Sequence, residues 1–150
     1  MPAPLLIDSN VLLRFSDPSR EDGKIASAAV DRLNALLTPL YYCSQNIGEF
    51  WNTLTRPVDH NGFGLTPREA YARVQEVEAK FEFLPDGIAV HRQWLKLLSR
   101  YQVSGIKVHD AHLVAVMVVH GVRHILTFNT ADFARYSEIE AVHPRDAAVR

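Results

Sequence analysis

A chain of 150 residues, 47% apolar and 22% charged, is long enough to form one domain with a sizeable core. Its formal net charge of −1 excludes a polycation that holds nucleic acid by bulk charge, so any such contact needs a local basic rim. The single cysteine, Cys43, excludes an intrachain disulfide and a multi-cysteine zinc site, and it fits a cytoplasmic setting. The start, Met1-Pro2-Ala3-Pro4, lacks the basic region and long apolar core of a signal peptide. The longest apolar run, Leu113 to Val119, is far too short to cross a bilayer.

Leu5 to Asp8 reads as a buried strand ending in an acid, and Val11 to Phe15 as a short helix after it. Beyond the break at Ser16-Asp17-Pro18-Ser19, the residues Ala26, Ala29, Val30, Leu33 and Leu37 keep helical spacing from Lys24 to Leu37. Thr38-Pro39 ends that helix, because proline disfavours helix at the residue before it. Leu40 to Cys43 is a short β-like run, and Ser44 is the expected N-cap of the next helix. Ile47, Phe50, Trp51 and Leu54 form the apolar stripe of that helix, while Gln45, Glu49, Asn52 and Arg56 fall on its other face. Arg56-Pro57 stops it, and Asn61-Gly62-Phe63-Gly64 is a turn-rich loop.

Thr66-Pro67-Arg68-Glu69 is a capping box with proline at the first helical position, followed inward by Ala70, Val74, Val77 and Phe81. Phe81 to Leu84 is a candidate strand closed by Pro85-Asp86-Gly87. Val90, Trp94, Leu97, Leu98 and Tyr101 mark another amphipathic helix. After Lys107-Val108-His109-Asp110 comes a helix, Ala111 to Val119, that is apolar almost all round and therefore expected to be central. Gly121 ends it, His124 to Phe128 is a strand, and Asn129 to Phe133 is the turn that follows. Ile139 to Val142 is expected as a last edge strand. Strands alternating with helices imply an α/β fold with a mostly parallel sheet.

Four acids stand at element ends or on polar faces: Asp8, Glu49, Asp110 and Asp132. Each has an ordinary explanation as well. Asp8 can cap the short helix, Glu49 can be a solvated face, Asp110 suits a helix N-terminus, and Asp132 can form an Asx-turn. If they converge, an oxygen-rich cluster suits the hard cations Mg²⁺ or Mn²⁺, because packed carboxylates raise each other's pKa unless a cation neutralises them. The seven histidines invite zinc, yet His109 and His112 have no matching cluster, and the oxygen-ligand set is the better reading.

The segments Leu6-Ile7-Asp8-Ser9-Asn10-Val11-Leu12, Ser44 to Pro57, Val108-His109-Asp110-Ala111-His112-Leu113 and Leu126 to Phe133 occur in this order and span nearly the whole chain. Together they resemble the PIN domain, specifically the toxin ribonucleases of VapBC-type toxin–antitoxin pairs. The resemblance implies a three-layer α/β/α fold and metal-dependent endonucleolytic hydrolysis of RNA by activated water, leaving 5′-phosphate and 3′-hydroxyl ends. By position, Asp8, Glu49 and Asp110 look like the metal-site acids. Ser9, Asn10 and Thr127 would orient ligands and water. The sequence departs from the pattern after Thr127, where family members often place Asp and this chain has Asn129; Asp132 would then supply the missing carboxylate or only hold the loop.

An acidic metal pocket repels phosphate unless cations surround it, and Arg14, Arg56 and Lys107 are the candidates for RNA backbone contacts. The resemblance also implies a small antitoxin that wraps the toxin and blocks the pocket, and a toxin homodimer. Trp51, Phe63, Tyr71 and Trp94 are candidates for those surfaces, although such residues more often belong to a core. Two other functions remain open from the sequence. One is a haloacid-dehalogenase-type phosphatase with Asp8 as nucleophile, a class that wants a second acid where Asn10 stands. The other is a catalytically silent PIN-like module that binds RNA or a partner.

Overall fold

The computed structural model describes residues 3–149. Met1 and Pro2, which open the segment read above as unlike a signal peptide, and Arg150 lie outside it. Among the described residues five short strands form one sheet: β1 (Leu5–Ile7), β2 (Leu40–Tyr42), β3 (Glu82–Phe83), β4 (His124–Leu126) and β5 (Glu140–Val142). Every pairing is parallel, in the order β3-β2-β1-β4-β5. The helices are α1 (Ser9–Phe15), α2 (Glu21–Ala35), α3 (Ser44–Thr55), α4 (Pro67–Lys80), α5 (Ile88–Arg100), α6 (Val108–Val119) and α7 (Pro144–Ala147).

The alternation of strand side chains divides the apolar residues into two cores. Leu5 and Ile7 of β1 join Leu40, Tyr42 and Leu126 under α1, α2, α3, α4 and α7. Leu6, on the opposite side of β1, joins Ile125 under α5 and α6. The result is three layers, α/β/α, with parallel strands covered on both faces. The helix expected to be central is so: Ala111 and the run from Leu113 to Met117 are buried, as a helix apolar on all sides requires.

Local signals place most boundaries. The Thr66–Glu69 capping box forms as expected, with the Glu69 amide donating to Thr66 Oγ1 at 3.1 Å and the Thr66 amide to Glu69 Oε1 at 3.1 Å. Three expectations are corrected. Cys43, not Ser44, caps α3, because the buried Asn46 accepts from the Cys43 amide through Oδ1 at 2.9 Å and closes the reciprocal cap. Helix α2 starts at Glu21 rather than Lys24; Gly23 permits this, since a Cβ there would lie 1.9 Å from the Asp17 carbonyl oxygen. Leu37 does not continue the apolar stripe: α2 ends at Ala35, and Leu37 turns left-handed (φ 59°) and is 77% exposed. Helix α7 was unanticipated; His143 Nδ1 caps it by accepting from the Arg145 amide at 3.0 Å.

The chain runs from β1 outward to β2 and β3 on one side, then returns to place β4 and β5 on the other. The sheet order therefore reverses between β1 and β4, and the crevice beyond the carboxyl ends of those strands is where open parallel sheets bind ligands. Asp8 follows β1 directly and Thr127 follows β4 directly.

Candidate active site

Asp8 does two things at once. It is the N-cap of α1, with Oδ1 accepting from the Ser9 amide at 2.8 Å. Its other oxygen, Oδ2, accepts from Thr127 Oγ1 at 2.8 Å and from Asn10 Nδ2 at 3.4 Å. The side chain is 8% exposed. Burial pushes the Asp8 carboxyl up to about 6; the bonds from Thr127 and Ser9 pull the other way, and the charges of Glu49 and Asp110 add to the rise.

The residues after Asp8 build the rest of the wall. Ser9 Oγ donates to Glu49 Oε1 at 2.7 Å, so α1 aims the acid carried by α3. Asn10 bridges to β4, donating to Thr127 Oγ1 at 3.2 Å and accepting from the Phe128 amide at 3.2 Å. Thr127 Oγ1 also accepts from the Asn129 amide at 3.0 Å, which shapes the turn after β4. Asp110 enters from the first turn of α6. Burial raises its pKa, Asp132 and Glu49 raise it further, and Lys107 and His109 offset part of the rise.

Asp8, Ser9, Asn10, Glu49, Asp110, Asn129 and Asp132 all line one open cleft of about 230 Å³, with Leu13 and Thr53 at its edge. The structure thus brings together four acids from four places in the chain: the N-cap of α1, helices α3 and α6, and the turn after β4. Asp132 arrives paired: Lys107 Nζ sits 3.2 Å from its Oδ1. Of the basic candidates, Lys107 is therefore at the rim but engaged. Arg14 pairs with Asp22 at 3.1 Å and lines an adjoining groove of about 670 Å³ together with Arg20. Leu13 and Thr53 line both, so the groove opens from the acidic cleft. Arg56 lines neither; its Nη2 donates to the Asn61 carbonyl at 3.1 Å and closes the loop after α3. Trp51, Phe63 and Trp94 are half-buried, whereas Tyr71 is exposed. Cys43 is buried, and burial pushes its thiol up to about 11, which leaves it an unreactive core group.

Sequence reasoning missed Asn46. It is fully buried, donates to Ser9 Oγ at 3.4 Å and so backs the Ser9–Glu49 contact. The signal was present: Asn46 stands four residues before Phe50 and eight before Leu54, a polar side chain on the apolar stripe.

The donor set is all oxygen and anionic, which suits a hard divalent cation. Among the described residues no group of three or more His, Cys, Asp or Glu side chains is already arranged to hold a metal ion.

The family model described as "PIN domain" matches residues 5–139. The chain belongs to the PIN domain family. Among solved structures, this PIN domain is similar to VapBC2 from Rickettsia felis bound to a DNA fragment from the promoter, with TM-score 0.70 at 10% identity over 93% of this chain and 97% of that chain. DNA-bound VapBC from Salmonella typhimurium gives TM-score 0.70 at 16% identity, covering 95% and 99%. VapC20 from Mycobacterium tuberculosis, a sarcin–ricin loop cleaving toxin, gives TM-score 0.63 at 19% identity, covering 90% and 98%. At these identities the likeness is one of fold. A comparison with curated proteins finds no match.

Proposed function

We propose that this PIN domain is a divalent-metal-dependent endoribonuclease, the VapC-type toxin of a type II toxin–antitoxin pair. The observation that carries the reading is the convergence of Asp8, Glu49 and Asp110 on one cleft at the switch point of the sheet. These three would hold Mg²⁺ or Mn²⁺. A cation bound there lowers the pKa of water and offsets charge on the phosphoryl oxygens. The chain's own groups do the positioning. Thr127 and the Ser9 amide hold Asp8 in one rotamer, Ser9 Oγ holds Glu49, and the Lys107–Asp132 pair borders Asp110.

RNA would reach the cleft along the groove walled by Arg14 and Arg20, which place cations beside an otherwise acidic mouth. A small antitoxin partner is supported by the fold likeness to toxin–antitoxin complexes. A homodimer and a cytoplasmic location belong to the same proposal. Among the described residues no helix is long and apolar enough to cross a membrane.

A phosphatase with Asp8 as nucleophile finds little support in the cleft. Both Asp8 oxygens already accept hydrogen bonds, and Asn10, which stands where that class wants a second acid, is engaged with Thr127 and the Phe128 amide. Asn129 in place of an acid favours the second reading, a silent RNA-binding module, which predicts RNA binding without cleavage.

The deciding experiment incubates the purified, partner-free protein with structured RNAs and Mg²⁺ or Mn²⁺. The expected cuts vanish with EDTA and in Asp8→Ala. Cleavage that persists in Asp8→Ala sinks the assignment, and binding without any cleavage installs the silent module in its place.

A further inference from the structure

Glu49 and Asp110 belong to helices on opposite faces of the sheet: α3 packs with the first core and α6 with the second. The two helices do not pack against one another along their length. Something else must set the gap between the two acids across the open end of the sheet.

One side chain spans it. Gln45, in the first turn of α3, donates from Nε2 to the carbonyl of His109 at 2.8 Å. That bond fixes the orientation of the amide, so Oε1 faces the His112 ring and lies 2.5 Å from Nδ1. The ring cannot swing away. Its Nε2 lies 3.1 Å from Asp86 Oδ2 in the loop before α5, and the Trp94 ring meets it edge-on at 5.2 Å. Trp94 is itself held, donating from Nε1 to the Val108 carbonyl at 2.9 Å. The two residues that Gln45 grips on α6, His109 and His112, flank Asp110. On its own helix Gln45 stands four residues before Glu49, hence on the same face one turn away.

We infer that Gln45 is a positioning residue, an amide latch between α3 and α6 that sets the separation of Glu49 and Asp110 and thereby the fit of the cleft to a divalent cation. The inference rests on the metal-site reading proposed above, but the latch also has a purely geometric consequence. A short amide bridge with both ends satisfied holds two helices at one spacing; truncating it removes its hydrogen bonds to His109 and His112 of α6. Groups that orient metal-binding side chains from behind typically change metal affinity about 10–100-fold when removed.

The test compares the full chain with Gln45→Ala and Gln45→Met, the second keeping the length and apolar stem while removing both hydrogen bonds. Two readouts are independent of catalysis. Mn²⁺ affinity, measured by titration calorimetry, is expected to fall about tenfold in both variants. The distance between spin labels on Asn52→Cys in α3 and Val119→Cys in α6 is expected to broaden in both; Cys43 is too buried to be labelled. In RNA cleavage at saturating substrate, kcat falls while KM for RNA stays near the parent value.

An unchanged spin-label distribution overturns the latch whatever the metal result. Wild-type Mn²⁺ affinity in Gln45→Met overturns its role at the cleft, because a merely space-filling Gln45 is replaced by Met without loss. A parent protein that binds no Mn²⁺ defeats the metal-site reading instead, and the distance measurement then still decides whether the latch exists.

Discussion

Thr127 Oγ1 donates to Asp8 Oδ2 at 2.8 Å, joining residues 119 positions apart. The bond ties the end of β4 to the end of β1, the two strands between which the sheet order reverses. It holds a carboxylate whose burial works against its charge, and several consequences follow from that conflict.

Asp8 has a folded-state pKa of about 6 against an ordinary 3.8. Between those values the folded protein binds more protons than the unfolded chain, so stability falls as pH rises from about 4 to about 6 and stays lowered above. A shift of roughly 2 units corresponds to a cost on the order of 3 kcal/mol at neutral pH. Asp8→Asn, which keeps a good N-cap, is expected to be more stable than wild type at pH 7 without added metal and to flatten this part of the stability profile. Urea melts of both proteins from pH 4 to 8 check it; equal slopes would refute the assignment.

Divalent cations favour the ionised acid, so protons and metal compete for Asp8. Adding Mg²⁺ or Mn²⁺ at pH 7.5 is expected to raise Tm, and the increment should shrink as pH drops through about 6. Asp110→Asn should lose most of the increment. Differential scanning calorimetry with and without metal measures this directly.

Ser9→Ala removes the hydroxyl that aims Glu49 and leaves Asn46 short of a partner in the interior. The expected cost is about 1–3 kcal/mol of stability and about tenfold or more in metal affinity. A variant as stable and as metal-avid as the parent would show that Glu49 finds its place unaided.

The turn after β4 gives opposed variants. Asp132→Asn removes a carboxylate that raises the Asp110 pKa and frees Lys107, whose charge lowers it, so Asp110 should titrate nearer the ordinary value. Asn129→Asp adds a carboxylate to the cleft, and Asp110 should titrate higher without metal while Mn²⁺ binds more tightly. Carboxyl NMR titrations of the two variants read the signs.

Away from the cleft, Leu37 is exposed and left-handed at the C-terminal end of α2, where glycine is the usual residue. Leu37→Gly is expected to stabilise the protein by about 0.5–1 kcal/mol, as relief of a backbone strain on the order of 1–2 kcal/mol outweighs the added freedom of the unfolded chain. Thermal melts suffice to see it.

The sequence by itself determined most of the elements and the family. The Thr66–Glu69 box, the stripe through Phe50 and Leu54, the all-apolar α6 and the acids at element ends are local patterns, because caps, periodicity and strand ends are set by residues a few positions apart. Where the local reading misled, another local interaction won: Asn46, three residues on, made Cys43 the cap instead of Ser44, and the left-handed turn at Leu37 took it off the helix stripe.

Only the tertiary structure decided what the acids do together. Their convergence on one cleft, the pairing of Lys107 with Asp132, the diversion of Arg56 to its own loop and the Gln45 bridge all join residues on different elements. Charge, burial and hydrogen bonding between such groups depend on distance in space, and no spacing along the chain encodes it. The pKa of Asp8 is the clearest case, since its largest cause is burial in the folded chain.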